Sequence, residues 1–218
     1  MSNFPTCSTI TDAVLKGIVK TKENFLYWTN GRLFLSYGPN KIITIHIAQE
    51  ISKLDNAPEI YIDATVADIL KCSLNDRNAY TSYMEKQDIK QGVFSITLDE
   101  RFEHKNDKDL ISRAIISVKN GVRSANLEYQ TEIDRICKML DRDICKTNNL
   151  NFGIFAAYCD LSENARKKLS KRLPEIKSKF DTVLKKFPSL QGTMKHTPIQ
   201  KINEAGEWCA FCYVIQPK

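Results

Sequence analysis

The sequence predicts an α+β fold, and three observations predict it. Helical stripes recur in both halves of the chain, apolar runs that alternate or continue like strands lie between them, and turn pairs such as Asn30-Gly31 separate the runs. With 218 residues, 42% hydrophobic and 27% charged, the chain can bury a core without staples. Two sheet-containing halves are expected: a sheet-rich domain over 1–104, and a more helical α+β domain over 105–218 with basic helices and a C-terminal hairpin.

Residues 8–19 read as a first helix, with Thr11 and Asp12 as capping oxygens and Val14, Leu15, Ile18 and Val19 at helical spacing. "FLYWTNGRLFLSY" follows as a hairpin, because a two-residue type I′ turn asks for positive φ at both Asn30 and Gly31. "YGPNK" then turns the chain into a third strand over 41–47. "EIYI" reads as another strand. "DATVADILKCSL" reads as a helix with Val66, Ile69 and Leu70 on one face and Asp63 as its cap, and "GVFSITLDERF" alternates as a strand.

In the second half, residues 107–118 place Leu110, Ile111, Ala114, Ile115 and Val118 on one helical stripe that stops at Gly121. Their β-branched content leaves a hairpin, "AIISVKNGVRSANL", open as the alternative. Residues 132–140 read as helix and "NFGIFAAYC" as a buried strand. "ARKKLSKRLPEIKSKFDTVLKK" reads as two helices. Ser162 caps the first, and Pro174 opens the second, whose apolar face is Ile176, Phe180, Val183, Leu184 and Phe187. A hairpin turning at 204–206 closes the fold.

That tract holds nine basic residues against two acids, an excess of seven in a chain whose total is +6, so the remainder is close to neutral. Its basic residues are Arg166, Lys167, Lys168, Lys171, Arg172, Lys177, Lys179, Lys185 and Lys186. The plain alternative is a solvated helix face. Against it, only Glu175 and Asp181 are present to pair with the lysines, and a localised positive field condenses on phosphates. Lysines spread round a helix attract backbone charge and read no bases, so the expected binding is salt-sensitive and sequence-tolerant. Phe25, Tyr27, Trp28, Phe34 and Tyr37 bracket Arg32 as a potential stacking platform, but strand alternation turns about half of them inward and leaves a core with one exposed ring.

Other chemistry is sparse. "CAFC" has the spacing of a metal knuckle, but a strand aims Cys209 and Cys212 at opposite faces and no second pair accompanies them, so no metal is expected. "HIA" at His46 and "HTP" at His196 outline a two-histidine phosphoesterase as the competing enzyme reading, broken by Ala48 where a hydroxyl belongs. No phosphate-binding loop, dinucleotide fingerprint, zincin or nucleophile-elbow motif occurs, and no cofactor or catalytic residue is assigned. No apolar run reaches the ~20 residues of a membrane span, and "MSNFPTCSTITDAVL" reads as no secretory signal. Seven scattered cysteines fit a reducing cytosol, and abundant Lys, Asn and Ile hint at a viral or phage source.

In order, "TDAVLKGIVK", "ENFLYWTNGRLFLSYGPNKIITIHI" and "EIYIDATVADILKCSLND" resemble the helix, strands and strand-helix unit of one domain of a DNA polymerase sliding clamp, with "ILKCSLND" similar to the corresponding segment of the eukaryotic proliferating-cell clamp and a spacing that suits the phage clamps. The resemblance implies that Lys16, Lys20 and Lys71 face nucleic acid. It implies a second clamp-like domain in which "TEIDRICKML" and "SKFDTVLKKF" are the helices, and it leaves a basic helix over 162–172 unmatched and ring closure open. The expectation is a non-enzymatic nucleic-acid-binding protein, for DNA or RNA, with Lys71 and Arg32 as secondary contacts. A polymerase processivity factor, with a polymerase or other replication protein as partner, is its most specific form. A viral RNA-binding protein and a host-factor antagonist working by protein contacts are further alternatives, and a homo-oligomer is left open.

Overall fold

The computed structural model describes residues 4–74, 80–81, 83, 89, 91–100, 111–142, 146, 148–202 and 205–218. Among them seven strands form one mixed, mainly antiparallel sheet with helices on both faces, an α+β architecture. Its order is β1 (Glu59–Thr65), β2 (Val93–Asp99), β3 (Ser112–Lys119), β4 (Phe152–Ser162), β7 (Gly206–Pro217) and β5 (Leu190–His196), with β6 (Gln200–Ile202) also pairing β7. Only β3 and β4 run parallel; the crossover between them contains helix α4 (Leu127–Leu140). Strands expected in two separate halves thus share a single sheet, with β2 of the first half paired to β3 of the second.

One face is covered by α1 (Cys7–Trp28) and α2 (Asn40–Ile51), which pack on Ile116, Ile154, Tyr158, Trp208 and Cys212. The opposite face carries α3 (Val66–Ser73), α4 and α5 (Leu169–Leu184) over Ile115, Phe155, Cys159, Cys209 and Phe211. Cys209 and Cys212 therefore do point to opposite faces. The central strands β3, β4 and β7 are buried on both sides, which is why they read as continuous apolar runs.

The expected hairpin over 25–37 and strand over 41–47 are helix and connector instead. The stripe Ile10, Val14, Ile18, Thr21, Phe25 carries α1 on to Trp28, with Gly17 and Thr21 as its unobtrusive members. Ile43, Ile47 and Ile51 make the matching stripe of α2, hidden in the sequence by its β-branched run. A Cβ at Gly17 would lie 2.6 Å from the Ile47 Cα, so the two helices touch backbone to backbone. That packing outweighs the β propensity of "IITIHI". Asn30 and Gly31 do take positive φ, 49° and 71°, but they end α1 instead of turning a hairpin: Gly31 N–H donates to the Leu26 carbonyl at 2.7 Å. The strands that the clamp resemblance asks for over 23–47 are accordingly missing from the fold.

Smaller corrections follow the same logic. The cap of α1 is Thr6, whose Oγ1 accepts from Thr9 N–H, in place of Thr11 or Asp12. Thr65, not Asp63, caps α3. Residues 112–118 are strand, their helical stripe being a coincidence of a segment buried on both faces; Gly121 (φ +66°) then leads towards α4, not into a hairpin partner. The rest of the expected 107–118 helix lies outside the described residues, except Ile111.

The basic tract is one helix, not two. Ser162 ends β4, residues 163–168 form a connecting turn, and α5 runs unbroken through Pro174. The proline forfeits one bond to the Ser170 carbonyl, on the exposed side of the helix where the carbonyl is open to solvent. Leu169, Leu173, Ile176, Phe180 and Val183 hold the helix down on the other side. Among the described residues no helix is long and apolar enough to cross a membrane.

Candidate nucleic-acid interface

Helix α1 runs along β4. Phe4, just before it, packs on Phe152 at the start of that strand, with ring centroids 6.4 Å apart. Further on, Lys22 lies 4.8 Å over the ring of Trp208, which pairs with Asp160 near the strand's end. Six residues past Lys22, at ~1.5 Å of rise each, carry Trp28 beyond the sheet. There Tyr27 is 85% exposed and Trp28 58%, although Trp28 keeps an edge contact to His46.

The connector 29–39 continues this cluster. Arg32 is exposed, Phe34 stacks on Tyr37 at 6.5 Å, and Tyr37 is 72% exposed. The alternation argument allowed one outward ring; a helix terminus and a short 3-10 turn present three, while Phe25 alone of the five is buried. The connector is tied to the sheet through the loop after β3. Asn120 Nδ2 donates to the carbonyls of Leu35 and Gly38, at 2.7 and 2.8 Å. Arg123 spans from Ser36 Oγ (3.4 Å) to buried Asp160 Oδ1 (2.7 Å). Asp160 is two residues from the end of β4, after which the chain enters the basic turn. This succession of contacts places the exposed rings and the basic turn at the same end of the sheet.

In that turn Arg166, Lys167 and Lys168 are all exposed. Lys168 Nζ donates to the Glu163 carbonyl at 2.9 Å, and Lys167 pairs with Glu175 at 2.6 Å on the surface, where such a pair contributes little. On α5, Lys171 and Lys179 are exposed, and Lys185 and Lys186 follow its end. Lys177 pairs with Asp181 at 2.6 Å and Lys186 lies 4.0 Å from Asp134. Arg172 is half-buried, its Nε without a hydrogen-bond partner among the described residues. Arg166, Lys171, Lys179 and Lys185 have no carboxylate within ion-pair distance among the described residues. The α5 N-terminus is not free for a phosphate, because the Glu207 carboxylate accepts from the Leu169 N–H.

Not every expected contact joins this surface. Lys71 sits on α3, over β1–β3, near Asp68 at 3.9 Å, whereas α5 packs on β5 and β7. Lys16 and Lys20 lie on α1 across the sheet from Lys71, paired with Glu50 and Glu23. Sequence reasoning missed Arg123, which carries no local signal, and left open which of the five rings faces out, since the exposure of Tyr37 depends on a 3-10 turn.

The histidine pair of the enzyme reading does not form as expected. His46 is buried on helix α2, not on a strand. Its Nδ1 faces the Ile42 carbonyl at 3.0 Å, so the proton resides there, and Nε2 accepts from Asn24 Nδ2 at 2.7 Å. Both nitrogens are thus used structurally. His196 ends β5, exposed, against the Thr197 carbonyl, and His104 lies outside the described residues. The chain matches no protein-family model, no curated protein and no solved structure, so its functional reading rests on its own residues.

Proposed function

We propose that this chain binds single-stranded nucleic acid, RNA or DNA, largely without regard to sequence. The observation that carries the reading is the joint exposure of Tyr27, Trp28 and Tyr37 around Arg32 at the sheet end that also bears Arg166, Lys167 and Lys168. Every base has a face that stacks on such rings, for roughly 1–3 kcal/mol per base, and the lysines meet the phosphates between them. A merely solubilising role accounts for the lysines but not for three rings held in water. A duplex offers phosphates but hides its base faces, so single strands are preferred. The described cysteines are free thiols, most of them buried, which suits the reducing cytosol as the place of action.

Titration with matched single- and double-stranded DNA and RNA at two salt concentrations tests this. Single strands are expected to bind more tightly, with a salt slope of about −0.7 per neutralised phosphate. Replacing Arg166, Lys168 and Lys171 together by Glu is expected to weaken binding at least tenfold. If that variant binds as the parent does, or if the rings serve only a protein partner so that Tyr37→Ala changes nothing, the reading fails.

A further inference from the structure

A second site lies on the α3 side of the sheet, towards its β1 edge. Strands β1, β2 and β3 and helix α3 line a half-open cavity of about 260 Å³, well beyond the ~30 Å³ that one water occupies. Ile62, Ala64 and Ile69 supply an apolar wall. The polar floor is Thr97, Asp99 and Ser112, with Asp68 among the lining residues and its carboxylate mostly in water.

The floor is incomplete. Asp99 is 3% exposed and Thr97 1%, yet Asp99 Oδ1 and Thr97 Oγ1 have no hydrogen-bond partner among the described residues. Ser112 bonds the Asp99 carboxylate, which Glu59 approaches as a further negative charge, and burial pushes the Asp99 acid above its ordinary range. A buried carboxylate oxygen left open forfeits a charge-assisted bond, and proteins seldom leave one so. Among the described residues no basic side chain lines the cavity; the ammonium of Lys71 is turned to Asp68 at 3.9 Å. What the described lining lacks is a cationic donor to Asp99 Oδ1, and what its wall accepts is a short hydrocarbon.

We propose that this cavity binds a small organic cation, a short-chain primary ammonium, whose N–H groups donate to Asp99 and Thr97 while its methylenes lie against Ile62, Ala64 and Ile69. An anion is repelled by Asp99 and Asp68, and a neutral alcohol satisfies one oxygen without neutralising the charge. The site is separate from the ring and lysine surface, and its ligand needs no nucleic acid.

Isothermal titration of the full chain with n-butylammonium chloride and with 1,4-diaminobutane tests the inference, against 1-butanol and against sodium chloride at matched ionic strength. Saturable binding of the amines and none of the alcohol is expected. Asp99→Asn should weaken amine binding roughly tenfold or more, the usual consequence of losing a bond to a charged group. Ala64→Phe fills the cavity without touching its polar floor and should abolish binding, which keeps the test decisive if the Asp99 variant does not fold. Heats no larger than those of sodium chloride mean that the cavity holds water only, and the proposal falls. It falls equally if Ala64→Phe binds the amines as the parent does.

Discussion

Arg123 grips Asp160 twice through one oxygen, Nη2 at 2.7 Å and Nε at 3.1 Å from Oδ1, while Asp160 Oδ2 has no partner among the described residues. The aspartate is enclosed and the guanidinium half in water. Removing the arginine leaves a buried carboxylate oxygen without its donor. Arg123→Ala is therefore expected to cost roughly 1–3 kcal/mol, towards the lower end because of the exposed guanidinium. Urea denaturation measures it. The same variant frees Ser36, so it should also weaken nucleic-acid binding through the Tyr37 connector.

Gly17→Ala makes a sharper demand, because helix propensity and packing disagree in sign. Alanine favours an isolated helix by about 1 kcal/mol over glycine. In α1 the added methyl meets the Ile47 backbone at 2.6 Å, so α2 must move away. A net loss of roughly 1–3 kcal/mol is expected, the usual consequence of overpacking. A stabilised variant would show that the two helices are not in backbone contact.

Two carboxylates should bend the pH profile of stability in opposite directions. Hydrogen bonds from Lys16 and Lys53 hold Glu50 below its ordinary range, so its contribution is full above that range and fades as pH falls through the lowered value. Asp99 is held above its ordinary range by burial, so its contribution is full at low pH and is lost as pH rises from the ordinary value through the raised one. Glu50→Gln should remove the acid-side loss, and Asp99→Asn the decline above it. Chemical denaturation of each variant from acid to neutral pH separates them.

Cysteine reactivity should divide by depth. Cys137, Cys159, Cys209 and Cys212 are fully buried. Burial pushes the thiols of Cys137 and Cys212 upward, and the Cys159 thiol is pushed up chiefly by its bond with Cys209. Cys7 and Cys72 are only half-buried. Brief alkylation of the native protein followed by peptide mapping should label Cys7 and Cys72 before those four. Early labelling of Cys209 or Cys212 would contradict the strand packing.

Trp28 and Trp208 give the stacking platform its own signal. Trp28 is exposed and Trp208 is 2% exposed beneath Lys22. Fluorescence quenching by a single-stranded oligonucleotide should therefore vanish in Trp28→Phe and survive in Trp208→Phe. Quenching that survives in Trp28→Phe would remove the platform.

Strands β1, β2, β4 and β7 and helix α4 were legible because their signals are local, whereas β3, buried on both faces, carries a helical stripe as well. Buried β4 and amphipathic α5 announce themselves by runs and stripes, and "CAFC" by its parity. The α1–α2 pair was not legible, since its decisive contact, Gly17 against Ile47, joins residues thirty apart, and its turn pair serves helix ends as well as hairpins. Pro174 misled for a related reason: a proline on the wet side of a well-anchored helix need not break it. Of the candidate site, the lysines are visible as composition, whereas the outward rings and Arg123 depend on where the sheet ends.

The place of β7 also sets a schedule. It pairs β4 on one side and β5 and β6 on the other, yet it follows all of them in sequence. As a ribosome delivers the chain, β4 waits with one flank open, and β5 has no neighbour at all until β7 emerges. Through that interval Phe155 and Phe180 have no Phe211 or Tyr213 to close over them. Chaperone engagement should accordingly peak between synthesis of β4 and of β7, and subside when the sheet can shut.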